Sequence, residues 1–258
     1  CWRSTTKLSS TKRKIWIIMG IRRGEITTKI VSDGLVFNMD AANRASYVPN
    51  ATTTFNTIDI SQSGSLENGI NFLQPPISAS CWDFDGSDDY IDLGQIDSSN
   101  PISFVGTTEN TWEAWINSKG TGDGYQRIID KSSAGGGVDG YFWSLGSTAG
   151  SGRIWCKIDG LTGIDNVQIS GYAHNVWQHL VVTRVNNATN GWKTYLNGVL
   201  KDERDSGNDP FPTDTEGCRI GSWNHSTARE FNGQIAAVRL YNRALSSTEV
   251  LHNYNALK

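Results

Sequence analysis

A chain of 258 residues can bury a substantial core without disulfide or metal support, and it fits one large domain as readily as two small ones. Ten tryptophans and 27 glycines against 19% charged residues point to short strands and tight turns, not to long polar helices. The net charge of −3 conceals a basic start, so the rest of the chain is acidic and argues against a nucleic-acid partner, and no apolar run approaches the ~18 residues of a membrane-spanning helix.

The basic start carries Lys7, Lys12, Arg13, Lys14, Arg22 and Arg23 and reads as an arm over residues 1–33. A solvated tail is its plain reading, and contact with an anionic surface is the alternative. Within it "KRKIWIIMGI" mimics a signal peptide, but its apolar part is too short and no small-residue cleavage site follows. Met19 followed by "GIRRGEITTKIVSDG" reads as a natural first residue, with 1–18 as upstream sequence. "GLVFNMD" (Gly34–Asp40) is the first strand-like run, and Ala41 to about Ser80 is polar with little periodicity.

"CWDFDGSDDYIDLG" (Cys81–Gly94) reads as two strand segments around a wet hairpin tip, with Trp82, Phe84, Ile91 and Leu93 toward a core. An EF-hand loop needs Gly at its sixth position and Glu at its twelfth, and neither register of this run supplies them. "TWEAWINSK" alternates Trp112, Ala114 and Ile116 with Glu113, Trp115 and Asn117, as a strand does. "QRIIDKS", "YFWSLGS", "RIWCKIDG" and "NVQISG" continue the pattern. "WQHLVVTRV" is apolar on both faces, which places it mid-sheet.

Asn197-Gly198, between Tyr195-Leu196 and Val199-Leu200, is a type I′ hairpin signal. "CRIGSW", the polar loop "NHSTARE" and "FNGQIAAVRLYN" close the β region. Helical pattern appears at "ALSSTEVLHNYNA", where Ser246 and Glu249 form a capping box and Val250, Leu251 and Tyr254 an apolar stripe. That helix is expected to cover an open sheet edge. The cysteines at 1, 81, 156 and 218 show no paired spacing and read as reduced thiols, the last three in strands. Trp82, Trp112, Trp177 and Trp192 are expected in the core, while Trp115 and Trp143 are ambiguous. The fold class is all-β, a two-sheet antiparallel jelly-roll sandwich over 34–258.

"FDGSDDYIDLG", "TWEAWI", "WQHLVVTRV", "TYLNGVL", "IGSW" and "FNGQIAAVRLYNRALSSTEVLHNYN" stand in the order found in laminin-G-like domains. The chain therefore resembles the concanavalin A-like lectin/glucanase superfamily from about Asp33 to Asn255. Its two ends, "DGLVFNMDAANRASY" and "YNRALSSTEVLHNYNA", look like the version found in virion proteins of tailed phages. Laminin-G-like domains often hold calcium at one rim, and many carry an Asp-Glu pair in the segment corresponding to "GQIAAVRLY". Here that position is Ala236-Ala237, so no cofactor is expected to be required. Asp85, Asp88 and Asp89 remain the candidate ligands if calcium binds. Glycosidases of the superfamily align acids as Glu-x-Asp-x-(x)-Glu on one strand. Asp83 and Asp85 lack the partnering Glu, and Glu113 stands alone, so the resemblance implies a binding protein, not an enzyme.

Sugar recognition needs aromatic faces with amide, carboxylate or guanidinium groups beside them. Trp223, Asn224, His225 and Arg229 could supply these, as could Asp139 and Tyr141 in the glycine-rich stretch "SSAGGGVDGYFW". The expected function is a non-enzymatic phage surface protein, a head decoration or fibre component that touches glycans. Expected partners are virion proteins bound through the arm, further copies of the chain and surface glycans, with no nucleic acid or membrane. The competing reading is a carbohydrate-active enzyme or binding module of a secreted bacterial protein.

Overall fold

The computed structural model describes residues 29–75, 79–120, 125–133, 140–145, 169, 171–208, 210–225 and 229–257, and the backbone of 154–158. Two antiparallel sheets face each other. The larger runs β13 (Val199–Arg204), β12 (Trp192–Leu196), β11 (Gln178–Val185), β7 (Glu109–Ser118), β15 (Asn232–Tyr241), β5 (Cys81–Asp85) and β4 (Asn71–Leu73). β1 (Leu35–Asp40) extends β5 end to end, because β15 pairs β5 along its first half and β1 along its second. The smaller sheet runs β10 (Ile154–Ile158), β9 (Tyr141–Leu145), β8 (Arg127–Lys131), β14 (Glu216–Ile220), β6 (Tyr90–Ile96), β3 (Ser63–Glu67) and β2 (Thr53–Phe55).

The period-2 pattern of the strands builds the core. Trp112, Ala114 and Ile116 of β7, Leu180 and Val182 of β11, and Val238 and Leu240 of β15 point inward and are fully buried. Trp82, Phe84, Trp143 and Ile220 join them, each large side chain contributing roughly 1.5–3 kcal/mol. Asn197 (φ 53°) and Gly198 (φ 78°) form the expected turn between β12 and β13. Ser246 and Glu249 cap helix α1 (Ser247–Leu257) reciprocally, at 2.8 Å for Ser246 N to Glu249 Oε2 and 3.3 Å for Glu249 N to Ser246 Oγ.

Several expectations change. The aspartate run is an arch between sheets, not a hairpin tip, since β5 pairs with β15 while β6 pairs with β14 and β3. Asp85-Gly86 does reverse the chain, with Gly86 at φ 80°, but a turn signal does not state whether the two arms bond or face each other across a core. The polar stretch before Ser80 contains β2, β3 and β4. Helix α1 covers a face, not an edge. Val250 packs with Val181, Tyr195, Tyr241 and Leu245 on the outer side of the larger sheet, joined by Ile30 and Val31. Trp143 and Trp192 are core residues, but Trp177 is only half-buried. Cys81 and Cys218 are buried, whereas Cys1 and the Cys156 side chain lie outside the described residues, as does most of "NVQISG". Of the arm, residues 29–33 are described. Val31 N–H donates to Asn253 Oδ1 at 2.8 Å, and Asp33 pairs with Arg243 at 2.9 Å.

Candidate functional site

The loop between β14 and β15 leaves the smaller sheet at Gly221 and is closed at its base by Phe231 N–H, which donates to Gly221 O at 2.7 Å. Gly221 is needed there, because it sits at φ 90° and a Cβ would meet the Phe84 ring at 2.4 Å. From this neck the loop folds back over the outer face of the smaller sheet. Asn224 lies over Gly217, so close that a Cβ on Gly217 would stand 2.3 Å from its amide. His225 Nε2 reaches Ser132 O at 2.8 Å and lies 3.5 Å from Glu216, which fixes the ring across the strand ends.

This folding brings three of the proposed glycan residues together. The Arg229 guanidinium lies 4.2 Å over the Trp223 ring, and the His225 ring stands edge-on to Trp223 at 6.0 Å. Tyr125, from the arch after β7, approaches the Arg229 guanidinium at 5.7 Å. On the other side Arg219 donates to Trp223 O at 3.3 Å and stacks on Tyr90 at 3.9 Å. The result is an alternating row of rings and guanidinium groups on a rigid sheet, suited to stacking with a flat apolar surface beside hydrogen-bond donors. Arg229 occupies φ 76°, a costly backbone state for a non-glycine residue.

Two of the proposed residues do not join it. Tyr141 is wholly buried and donates from its hydroxyl to Ile102 O at 2.9 Å, inside an aromatic cluster with Phe104 and Phe211. Its alternation on β9 turned it inward, so it cannot touch a glycan. Asp139 lies outside the described residues.

The aspartate arch gathers Asp85, Asp88 and Asp89, with ligand oxygens within 4.8 Å of one another. Asp89 is 3% exposed and accepts the Asp85 N–H at 2.9 Å. Its carboxyl is pushed up to about 6, chiefly by burial, against the Asp85 N–H bond that lowers it and with the charges of Asp85, Asp88 and Asp83 adding to the rise. Three hard carboxylate donors suit a calcium-type ion, for which backbone oxygens and water would complete the shell. The alanine pair at 236–237 lies mid-strand in β15, at a bulge, away from the strand ends.

A second constellation was invisible in sequence. Glu113, fully buried on the outer side of β7, receives Arg239 Nη1 at 3.1 Å and Asn253 Nδ2 at 2.6 Å, with His179 Nε2 at 3.5 Å. Burial opposes its ionisation, but His179, Arg239 and Asn253 together hold its carboxyl at about 2. Arg239 also binds Asp40 at 2.7 Å. Above this group opens a cleft of about 470 Å³ between the sheet face and α1, lined by Trp115, Trp177 and Tyr254 among others.

The fold and this geometry define a lectin-type jelly roll. A laminin-G-type family model described as the concanavalin A-like lectin/glucanases superfamily matches residues 85–251, and the chain belongs to that family. No curated protein sequence matches the chain. Among solved structures, the receptor-binding domain of botulinum neurotoxin C/D mosaic serotype is similar, with TM-score 0.65 and 15% identity over 88% of this chain and 52% of that one. The binding domain of botulinum neurotoxin DC in complex with SialylT gives TM-score 0.62 and 13% identity over 88% and 52%. Trypanosoma rangeli sialidase in complex with sialic acid gives 0.60 and 14% over 86% and 32%. The chain thus spans about a third of the sialidase and about half of the toxin chains. Likeness at this identity establishes the fold.

Proposed function

We propose that this chain is a non-enzymatic, lectin-like display domain on the surface of a tailed-phage virion, binding glycans through the loop that carries Trp223. The observation that carries this reading is the row of Tyr125, Arg229, Trp223 and His225 on one outer face. It joins ring faces to guanidinium and imidazole donors without enclosing a deep pocket, so each site binds weakly and many copies supply avidity. The phage setting is supported by the likeness of the two ends of the chain to virion proteins. Attachment to the particle falls to the basic arm. Glycan-binding by the similar toxin domain, in complex with SialylT, is consistent with the reading.

Lack of catalysis is supported by where the acids sit. Glu113 is sealed beneath the helix among its own donors and cannot reach a glycosidic oxygen. Asp83 pairs with Lys119 at 3.5 Å on an edge of the arch.

The test is a multivalent glycan array probed with the parent chain and with Trp223→Ala and Arg229→Ala. Each variant is expected to lose about tenfold in affinity, roughly 1.4 kcal/mol, with an unchanged melting midpoint. A reducing-sugar assay on the bound glycans is expected to detect no release. Absence of glycan binding at high display density, or steady sugar release, would overturn the proposal. Antibody labelling of phage particles tests the setting, and labelling confined to the medium would refute it.

A further inference from the structure

The cleft beside α1 has the ingredients of a second binding site. Its volume of about 470 Å³ falls within the range of small-molecule sites, ~300–1,000 Å³. Trp115 and Tyr254 form one wall, their rings stacked at 5.8 Å and 11°, and Ala236 leaves the floor open. Trp177 also lines the cleft, half-buried just before β11. Among the described residues its ring meets no other aromatic ring, and its indole N–H has no protein acceptor. A half-buried indole in the lining offers an apolar ring surface and one donor.

The polar groups at the cleft are held in position. Asn197 accepts the His179 N–H at 2.9 Å through Oδ1, which orients the amide and leaves Nδ2 as a donor. Asp40 is fixed by the Ala42 N–H at 2.9 Å and by Arg239 at 2.7 Å, with 16% of its side chain exposed. A flat indole, a fixed amide donor and a fixed carboxylate around an apolar floor match the needs of a pyranose ring. Its C–H face would stack on Trp177, with hydroxyls turned to Asp40 and Asn197, which line the same cleft.

The charge of the cleft narrows the class. Both terminal nitrogens of Arg239 are already committed, one to Glu113 and the other to Asp40. An incoming carboxylate would face the Asp40 charge, and no other cationic side chain lines the cleft among the described residues. From this juxtaposition we infer that the cleft is a second site, separate from the Trp223 loop, selective for a neutral hexopyranose.

The experiment is ligand-observed NMR titration of the full chain with the methyl glycosides of glucose, galactose, mannose and N-acetylglucosamine, and with the methyl glycosides of glucuronic acid and sialic acid. At least one neutral glycoside is expected to bind with a Kd in the millimolar range (~−4 kcal/mol), and the carboxylated sugars about tenfold more weakly or not at all. Trp177→Ala removes the platform and Ala236→Leu fills the floor. Either is expected to raise Kd for the neutral sugar at least about tenfold, while Trp223→Ala leaves it unchanged. No neutral glycoside binding up to about 100 mM overturns the inference. So does equal affinity for neutral and carboxylated sugars, or parental affinity in a folded Trp177→Ala or Ala236→Leu variant. Loss of this binding in Trp223→Ala would place the sugar in the loop instead and refute the second site.

Discussion

Replacing Glu113 by alanine should loosen the attachment of α1 to the sheet. The carboxylate is 0% exposed and accepts from Arg239 at 3.1 Å and Asn253 at 2.6 Å, beside His179 at 3.5 Å. Without it the buried Arg239 loses one of its two anions, and the buried Asn253 Nδ2 keeps, among the described residues, Tyr241 Oη at 3.0 Å as its one acceptor. Removing one partner of a buried charged pair costs ~3–5 kcal/mol, because the other charge stays desolvated. The same contacts hold the Glu113 carboxyl at about 2, below its ordinary 4.5, so folding favours its ionised form. At ~2–4 °C per kcal/mol for a domain of this size, Glu113→Ala should melt roughly 10 °C below the parent. The pH dependence follows from the sign of the shift. A carboxyl lower in the folded state than in the unfolded one stabilises above about 4.5, and that stability drains away as pH falls toward about 2. Glu113→Gln should be less destabilised at pH 7 and should flatten this acid limb. Urea midpoints for the three proteins between pH 2 and 7 measure both effects. A Glu113→Ala midpoint within ~1 kcal/mol of the parent, or an unchanged acid limb in Glu113→Gln, would refute the reasoning.

Asp89 acts in the opposite sense. Its folded value of about 6 lies above the ordinary 3.8, so its ionised form weakens the fold above pH 6 and the penalty lifts as pH falls toward 4; Asp89→Asn should abolish that rise in urea midpoints. Chelator should leave the parent's melting midpoint unchanged, and millimolar calcium should raise it by no more than a few degrees; a rise of many degrees would mean that the aspartate arch depends on the ion. Gly198→Ala, at φ 78° with a Cβ 2.9 Å from Leu251 Cδ1, should cost ~1–2 kcal/mol in urea unfolding while keeping the hairpin. Deleting residues 1–28 should leave the melting midpoint intact and abolish attachment to particles; extending the deletion to residue 33 removes Ile30 and Val31 from the second apolar cluster and should destabilise the domain as well.

Local chemistry carried much of this architecture. Alternation in Trp112–Ile116, the Asn197-Gly198 turn and the Ser246–Glu249 box each depend on neighbours a few residues away, so they were readable directly. The aspartate cluster was readable for the same reason, as was the grouping of Trp223, His225 and Arg229 within one loop. Partner choice was not. Whether the chain after Asp85 pairs with β5 or crosses to the other sheet depends on β15 and β14, more than a hundred residues later. Tyr125 reaches Arg229 from a different arch, and Tyr141 turned inward where its loop promised exposure. Glu113 looked solitary because its donors, Arg239 and Asn253, stand 126 and 140 positions away. Period and turn type are short-range properties of the backbone, whereas the group that compensates a buried charge, and the face a half-buried tryptophan presents, exist only once distant strands and a helix have met.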